Sequence, residues 1–147
     1  NICRSPTAHA VFQTLVDKHS LADCFLVDSA GTAAWHIGKS PDERSQKTAR
    51  NRAYDLSMLQ ARQVAASDFE EFDFILAMDR SNLVNLQNEC PPEHQHKLSL
   101  FLDYSADEED EVPDPYYGGI NGFDHVLDLV ESASEGLLAA LNEELKK

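Results

Sequence analysis

Apolar positions along the chain alternate between two spacings, and the alternation predicts the elements. After Ser5, the residues Ala8, Val11, Phe12, Leu15 and Val16 recur at helical intervals. Ser5 can cap that helix with Pro6 at its first position. "CFLVDSAGT", residues 24 to 32, reads as a buried strand closing on a turn at Gly31. Pro41 and Asp42 open a polar helix that runs to about Asn51, and Ser67 caps a short turn through "DFEEF". "FDFILAMD" reads as a second strand ending at Asp79, Ser81 caps a helix through "NLVNLQ", and "KLSLFL" reads as a third strand. Phe123, Val126, Leu127, Val130, Leu137, Leu138 and Leu141 then mark a long closing helix.

Strands alternating with helices predict a parallel sheet covered on both faces. In such folds ligands sit beyond the carboxyl ends of the strands, where Asp28 to Thr32, Asp79 and the loop holding Asp114 all fall. The first helix departs from this rhythm, because no strand stands before it. Its N-terminus carries Arg4 and Ser5, which in this class of fold normally follow a strand and a tight turn.

Composition narrows the partners. The 147 residues fit one domain, spanning 1–147, long enough to bury roughly 70% of the unfolded surface. A formal net charge of −14 argues against nucleic acid and against an anionic membrane surface. No run of about 18 apolar residues predicts a spanning helix. An anionic substrate must therefore be held by a local site against an unfavourable overall field. Cys3, Cys24 and Cys90 are an odd, widely spaced set, which fits a reduced, cytoplasmic setting better than a disulfide framework. "CPPEHQH" lacks a second ligand pair at zinc spacing and reads as a surface loop, so no metal site is predicted. "DYSADEEDE", Asp103 to Glu111, reads as a solvated acidic loop.

Two constellations carry candidate chemistry. A helix N-terminus has a partial positive charge and unpaired N–H groups, and Arg4 adds a planar fork able to grip two phosphate oxygens. Taken alone, "CRSP" is equally a solvated arginine near a chain end. In "VPDPYYGG" prolines flank Asp114 and exclude regular structure, while Tyr116 and Tyr117 would partly desolvate its carboxyl group and favour the protonated form. That environment suits a general acid, and it is also what a turn with two packing tyrosines looks like.

The motifs "NICRSP", "DSAGT" followed by Trp35, "GKSPDERS", "ARQV", "FDFILAMDRSN" and "DPYYGG" occur in the order found in low-molecular-weight protein tyrosine phosphatases. The chain resembles that family over essentially its whole length. The resemblance implies an α/β fold with three layers and a four-stranded parallel sheet. It implies hydrolysis of phosphotyrosine in a protein substrate through a cysteinyl-phosphate, with no cofactor. Arg4 would hold the phosphoryl oxygens and Asp114 would protonate the leaving tyrosyl oxygen. Asn1, Ile2, Cys3 and Ser5 would belong to the phosphate loop, with Asn1 bracing it and Cys3 matching its second, non-nucleophilic cysteine. Trp35, Tyr116 and Tyr117 would wall the substrate cleft. Asp79 is a candidate to orient Arg4 or the loop, and equally a plain carboxylate at a strand end. Inorganic phosphate or a similar oxyanion is the expected small ligand, and a monomer or weak dimer the expected state.

The family's Cys-x5-Arg loop places its nucleophile three residues before Asn1, and no cysteine in the chain stands at that spacing from an arginine. The first strand, central between those read at Phe25 and Phe72, also falls upstream. The expectation is that the chain is the body of a longer protein and is inactive without the upstream strand and cysteine. Leu59 stands where family members often carry a histidine that helps hold the loop asparagine. Arsenate reductases share the scaffold but need further paired cysteines, and arginine phosphatases typically have Thr where Ile2 stands. A non-catalytic phosphate-binding module would have no use for Asp114.

Overall fold

The computed structural model describes residues 4–21, 24–31, 38–60, 62–105, 109, 111–113 and 120–145. Helix α1 runs Arg4–Lys18, α2 Glu43–Asn51, α3 Ala66–Glu71, α4 Arg80–Glu89 and α5 Ile120–Leu145. Strands β1, Ile75–Ala77, and β2, Leu98–Leu100, pair in parallel with Ile75 opposite Leu98 and Ala77 opposite Leu100. Parallel neighbours need a crossover, and α4 with a 3₁₀ turn at Pro92–Lys97 supplies it.

Side chains alternate across β1 and divide the core. Leu76 and Met78 face a cluster built mainly from α1 and α5, including Val11, Phe12, Val16, Val126, Leu127, Val130 and Leu138. Ile75 and Ala77 face a second cluster with Phe69 of α3, Leu86 of α4, Cys90 and Leu100. Helices thus cover both faces of the pair, as the alternation of elements predicts.

Several local expectations are corrected. "CFLVDSAGT" is not a buried strand. Residues 25 to 30 make no ladder among the described residues, and only Gly31 forms a parallel bridge, to Gln63. The side chains nevertheless alternate: Phe25 and Val27 pack on the larger cluster while Leu26 is 82% exposed. An extended segment takes its strand geometry from a hydrogen-bonded neighbour as well as from its own residues. Both described strands are three residues long, shorter than the apolar runs that announce them; β2 stops where Phe101–Tyr104 tightens into a 3₁₀ turn directly after Leu100.

Helix starts also differ. Helix α1 already includes Arg4, so Ser5 and Pro6 lie inside its first turn, where the missing proline N–H costs nothing. The cap of α4 is Asp79 rather than Ser81: its Oδ1 accepts from Asn82 N at 2.7 Å. A carboxylate outcompetes a hydroxyl there because its full charge meets the positive end of the helix. Helix α3 begins after Ala65, with Ser67 in its first turn, and Asp68 accepts the Ala65 N–H at 2.8 Å. Asp42 caps α2 as expected, accepting from Arg44 N at 2.8 Å.

Helices α1 and α2 end in the same way. Leu21 N donates to Val16 O and Ser20 N to Asp17 O, and Tyr54 N to Ala49 O and Ala53 N to Arg50 O. This double closure needs a left-handed residue, here Ser20 (φ 58°) and Ala53 (φ 69°) rather than glycine. The second closure aims Arg52 and Tyr54 at α5. Arg52 pairs with Asp124 at 3.3 Å, Asp128 at 2.9 Å and Glu131, and the Tyr54 hydroxyl donates to Glu131 at 2.8 Å. Burial, then the bond to the Glu131 carboxylate, pushes the Tyr54 phenol up to about 12.

Two substitutions should act against helix propensity. A Cβ on Gly136 of α5 would sit 1.8 Å from the carbonyl oxygen of Tyr104. Gly136→Ala is therefore expected to lower stability by roughly 1–3 kcal/mol, although alanine is the better helix former. Ala53→Gly relieves a left-handed alanine and is expected to raise stability by about 0.5–1 kcal/mol. Thermal melting of both variants checks the opposite signs.

Candidate active site

The start of α1 brings a cation to the carboxyl end of β1. Arg4 Nη1 donates to Asp79 Oδ2 at 2.6 Å and to the carbonyl oxygen of Val112 at 2.9 Å. The two charged side chains keep 16% and 23% of their exposure, so water only partly screens the pair. Asp79 divides its carboxylate, Oδ1 capping α4 and Oδ2 holding Arg4. One residue thereby ties the N-terminus of α4 to that of α1.

Holding one nitrogen of a guanidinium fixes the whole plane. Both Nη1 hydrogens are committed to protein oxygens, while the Nε–Nη2 edge has no hydrogen-bond partner among the described residues. That edge carries two parallel N–H groups, the geometry that grips a phosphate or carboxylate through two oxygens. Ser5 is half-buried in the same first turn.

The chain leading to Asp114 is attached to the same place. Val112 is 1% exposed within the larger cluster, its N–H donates to Met78 O at 2.7 Å and its carbonyl accepts from Arg4. Glu111 Oε2 accepts the backbone N–H of Arg80, the first residue of α4, at 2.7 Å. The structure thus brings together Arg4, Asp79 and the segment two residues before Asp114. Asn1, Ile2, Cys3, Trp35, Asp114, Tyr116 and Tyr117 lie outside the described residues.

Further along α1, His9 Nδ1 shares a 3.0 Å hydrogen bond with the Ser29 hydroxyl. Burial depresses the His9 pKa, with Asp28 opposing and Arg62 reinforcing the shift, so the ring is held towards its neutral form. Arg62 bridges Asp28 at 3.1 Å and Asp68 at 2.9 Å. Gly31 N donates to Arg62 O and Val64 N to Gly31 O, so the "DSAGT" and "ARQV" stretches, distant in sequence, are neighbours.

The sequence marks Arg4, Asp79 and the Asp28 to Thr32 stretch that holds Ser29, but not Val112, Glu111 or His9. Val112 acts through its carbonyl, which every residue has, so no side-chain signal marks it. Glu111 was hidden within a run of acids. Cys90 is buried beside Phe69, Leu86 and Leu100, and burial pushes its thiol up, the reverse of what a nucleophile requires.

Similarity to known proteins agrees with this arrangement. The family model for low molecular weight phosphotyrosine protein phosphatase matches residues 1–147. A putative low molecular weight protein-tyrosine-phosphatase of Synechocystis sp. is 44% identical over 147 residues, covering 99% of this chain and 93% of that protein. Among solved structures, a protein tyrosine phosphatase from Entamoeba histolytica with Hepes in its active site superposes with a TM-score of 0.95 at 41% identity, over 98% of this chain and 92% of that one. Vibrio vulnificus Wzb in complex with benzylphosphonate superposes with a TM-score of 0.81 at 30% identity, over 93% of this chain and 90% of that one. The partners of Arg4, the parallel pair and these likenesses lead to one conclusion: the chain belongs to the low molecular weight phosphotyrosine protein phosphatase family.

Proposed function

We propose that this protein hydrolyses phosphotyrosine in protein substrates through a cysteinyl-phosphate intermediate. The observation that carries the reading is the Arg4 guanidinium, held at one nitrogen by Asp79 and Val112 with its other edge turned free of them. An upstream cysteine thiolate attacks phosphorus as the tyrosyl oxygen leaves. Arg4 follows the equatorial oxygens through inversion, and the N-terminus of α1 with the Ser5 hydroxyl lowers the thiol pKa. Asp114 gives its proton to the leaving oxygen and then takes one from the water that hydrolyses the phosphocysteine. Two peptide links separate Asp114 from Val112 and span at most about 7 Å, which keeps that carboxyl group within reach of the oxyanion on Arg4.

Asn1, Ile2 and Cys3 complete the phosphate loop in this reading, and Trp35, Tyr116 and Tyr117 form aromatic walls deep enough to prefer phosphotyrosine over phosphoserine. Wzb of Vibrio vulnificus is solved with benzylphosphonate, an aromatic phosphonate, which supports an aromatic phosphate as substrate here. An arsenate-reducing role would need a thiol relay, which the buried, high-pKa Cys90 serves poorly. A monomer or weak dimer in the cytoplasm suits the reading, and no helix among the described residues is long and apolar enough to cross a membrane.

We also propose that residues 1–147 are one phosphatase domain whose four-stranded sheet is completed from upstream. Among the described residues, 25 to 30 show strand-like alternation of burial but make no ladder, and β1 pairs only with β2. A strand between them would satisfy both edges and end in the nucleophilic cysteine. Interior edges left open would cost about 1–3 kcal/mol for each unpaired group.

Residues 1–147 alone are expected to show no turnover of p-nitrophenyl phosphate, whereas a chain extended by that strand and cysteine is active. Turnover by residues 1–147 would end the domain reading. In the extended chain Asp114→Ala is expected to lower kcat/KM, which reports the step that expels the leaving group, about 10²–10⁴-fold for phosphotyrosine and far less for p-nitrophenyl phosphate, whose leaving group needs little help. Equal losses on both substrates would remove Asp114 from the acid role.

A further inference from the structure

We infer that Glu111 is a positioning residue for the general-acid step, acting through the backbone that carries Asp114; the inference rests on the reading of Asp114 given above. Glu111 stands at the end of a strongly acidic stretch, whose bland reading is a solvated loop. Its carboxylate instead accepts the N–H of Arg80 at 2.7 Å. The N-terminus of α4 therefore receives two carboxylates, Asp79 on Asn82 N and Glu111 on Arg80 N. Each satisfies one of the amides left unpaired in the first turn of a helix, and each meets the positive end of its dipole.

The consequence lies in the next residue. Val112 is fixed through its N–H to Met78 O and through its carbonyl to Arg4, and its side chain is sealed in the core. Glu111 adds a side-chain anchor immediately before it. Glu111 and Val112, the residues before Pro113, are thereby secured at consecutive positions to α4, to Met78 just after β1 and to Arg4. Upstream, the Glu109 carboxylate reaches His125 Nε2 of α5 at 3.0 Å, with both side chains about half exposed, so that tie is the weaker one. Glu111 is thus the side chain that locks the acid's approach to α4, the helix whose cap also holds Arg4.

An acid must sit within hydrogen-bond reach of the leaving oxygen, and a displacement of about 1 Å can cost on the order of 100-fold. Loosening Glu111 should therefore weaken proton donation and leave oxyanion binding intact, because Arg4 keeps Asp79. The test uses the full-length enzyme and compares phosphotyrosine with p-nitrophenyl phosphate. Glu111→Ala is expected to lower kcat/KM for phosphotyrosine roughly 10- to 100-fold, with less than about a twofold change in kcat/KM for p-nitrophenyl phosphate and in inhibition by inorganic phosphate. Glu111→Gln keeps an acceptor oxygen and is expected to stay within about twofold of wild type on both. Glu111→Asp, one methylene short of the Arg80 amide, should give the same selectivity in smaller measure and covers the case in which the alanine variant folds poorly.

Equal losses of kcat/KM on both substrates, weakened phosphate inhibition in step with kcat/KM, or a glutamine variant as damaged as alanine would each overturn the inference. Asp114→Ala assayed in parallel separates the two readings. Selectivity in Asp114→Ala without selectivity in Glu111→Ala removes the positioning role alone, and no selectivity in Asp114→Ala removes the acid assignment beneath it.

Discussion

One guanidinium joins three parts of the chain that are far apart in sequence. Arg4 begins α1, Asp79 ends the turn after β1, and Val112 stands two residues before Asp114. Hydrogen bonds to a charged partner contribute about 1.5–3 kcal/mol each when shielded, and less here because both side chains retain some exposure. Their larger effect is geometric. An arginine plane fixed at one nitrogen presents its other edge in a set direction, which under the proposed function prepares it for an oxyanion before the ligand arrives. In a chain of net charge −14 that local cation must work against the overall field, which is why it is held rather than left to wander in solvent.

The surrounding fold serves this junction. Alternation along β1 sends Leu76 and Met78 towards α1 and α5, and Ile75 and Ala77 towards α3 and α4, so β1 is gripped from both sides just before Asp79. Helix α5 provides the broad apolar surface against which α1 packs. The contact of Gly136 with the Tyr104 backbone lets the turn after β2 lie directly on that helix. Arg52 and Tyr54, aimed by the left-handed Ala53, fasten α2 to the acidic face of α5. The ends of α1, β1 and α4 then meet with little freedom, and the segment before Asp114 is fastened to the same meeting point.

Helices were legible in the sequence because their apolar stripes are long and periodic, as in α1 and α5. Their ends were less so, because Ser20 and Ala53 take the left-handed conformation without the glycine that usually announces it. The caps of α3 and α4 were misassigned as well. At α4 the carboxylate of Asp79 takes the capping place ahead of Ser81, and α3 is capped by Ala65, whose own N–H is accepted by Asp68. The stretch from Cys24 to Thr32 looked like a buried strand, yet one of its faces meets solvent at Leu26 and its backbone forms a single bridge.

At the candidate site, Arg4 and Asp79 were visible as residue types whose chemistry is distinctive, and Asp114, singled out by its flanking prolines, lies outside the described residues. Order along the chain was enough to assign the family, because the motifs recur in a fixed sequence. What the sequence alone determined, then, was which groups are available and roughly which elements carry them. Tertiary structure decided which of them touch. The pairing of Arg4 with a backbone carbonyl more than a hundred residues away, and the recruitment of Glu111 to the start of α4, have no local pattern. Carbonyls are identical from residue to residue, and an acid in an acidic run looks like its neighbours until packing brings it to a partner.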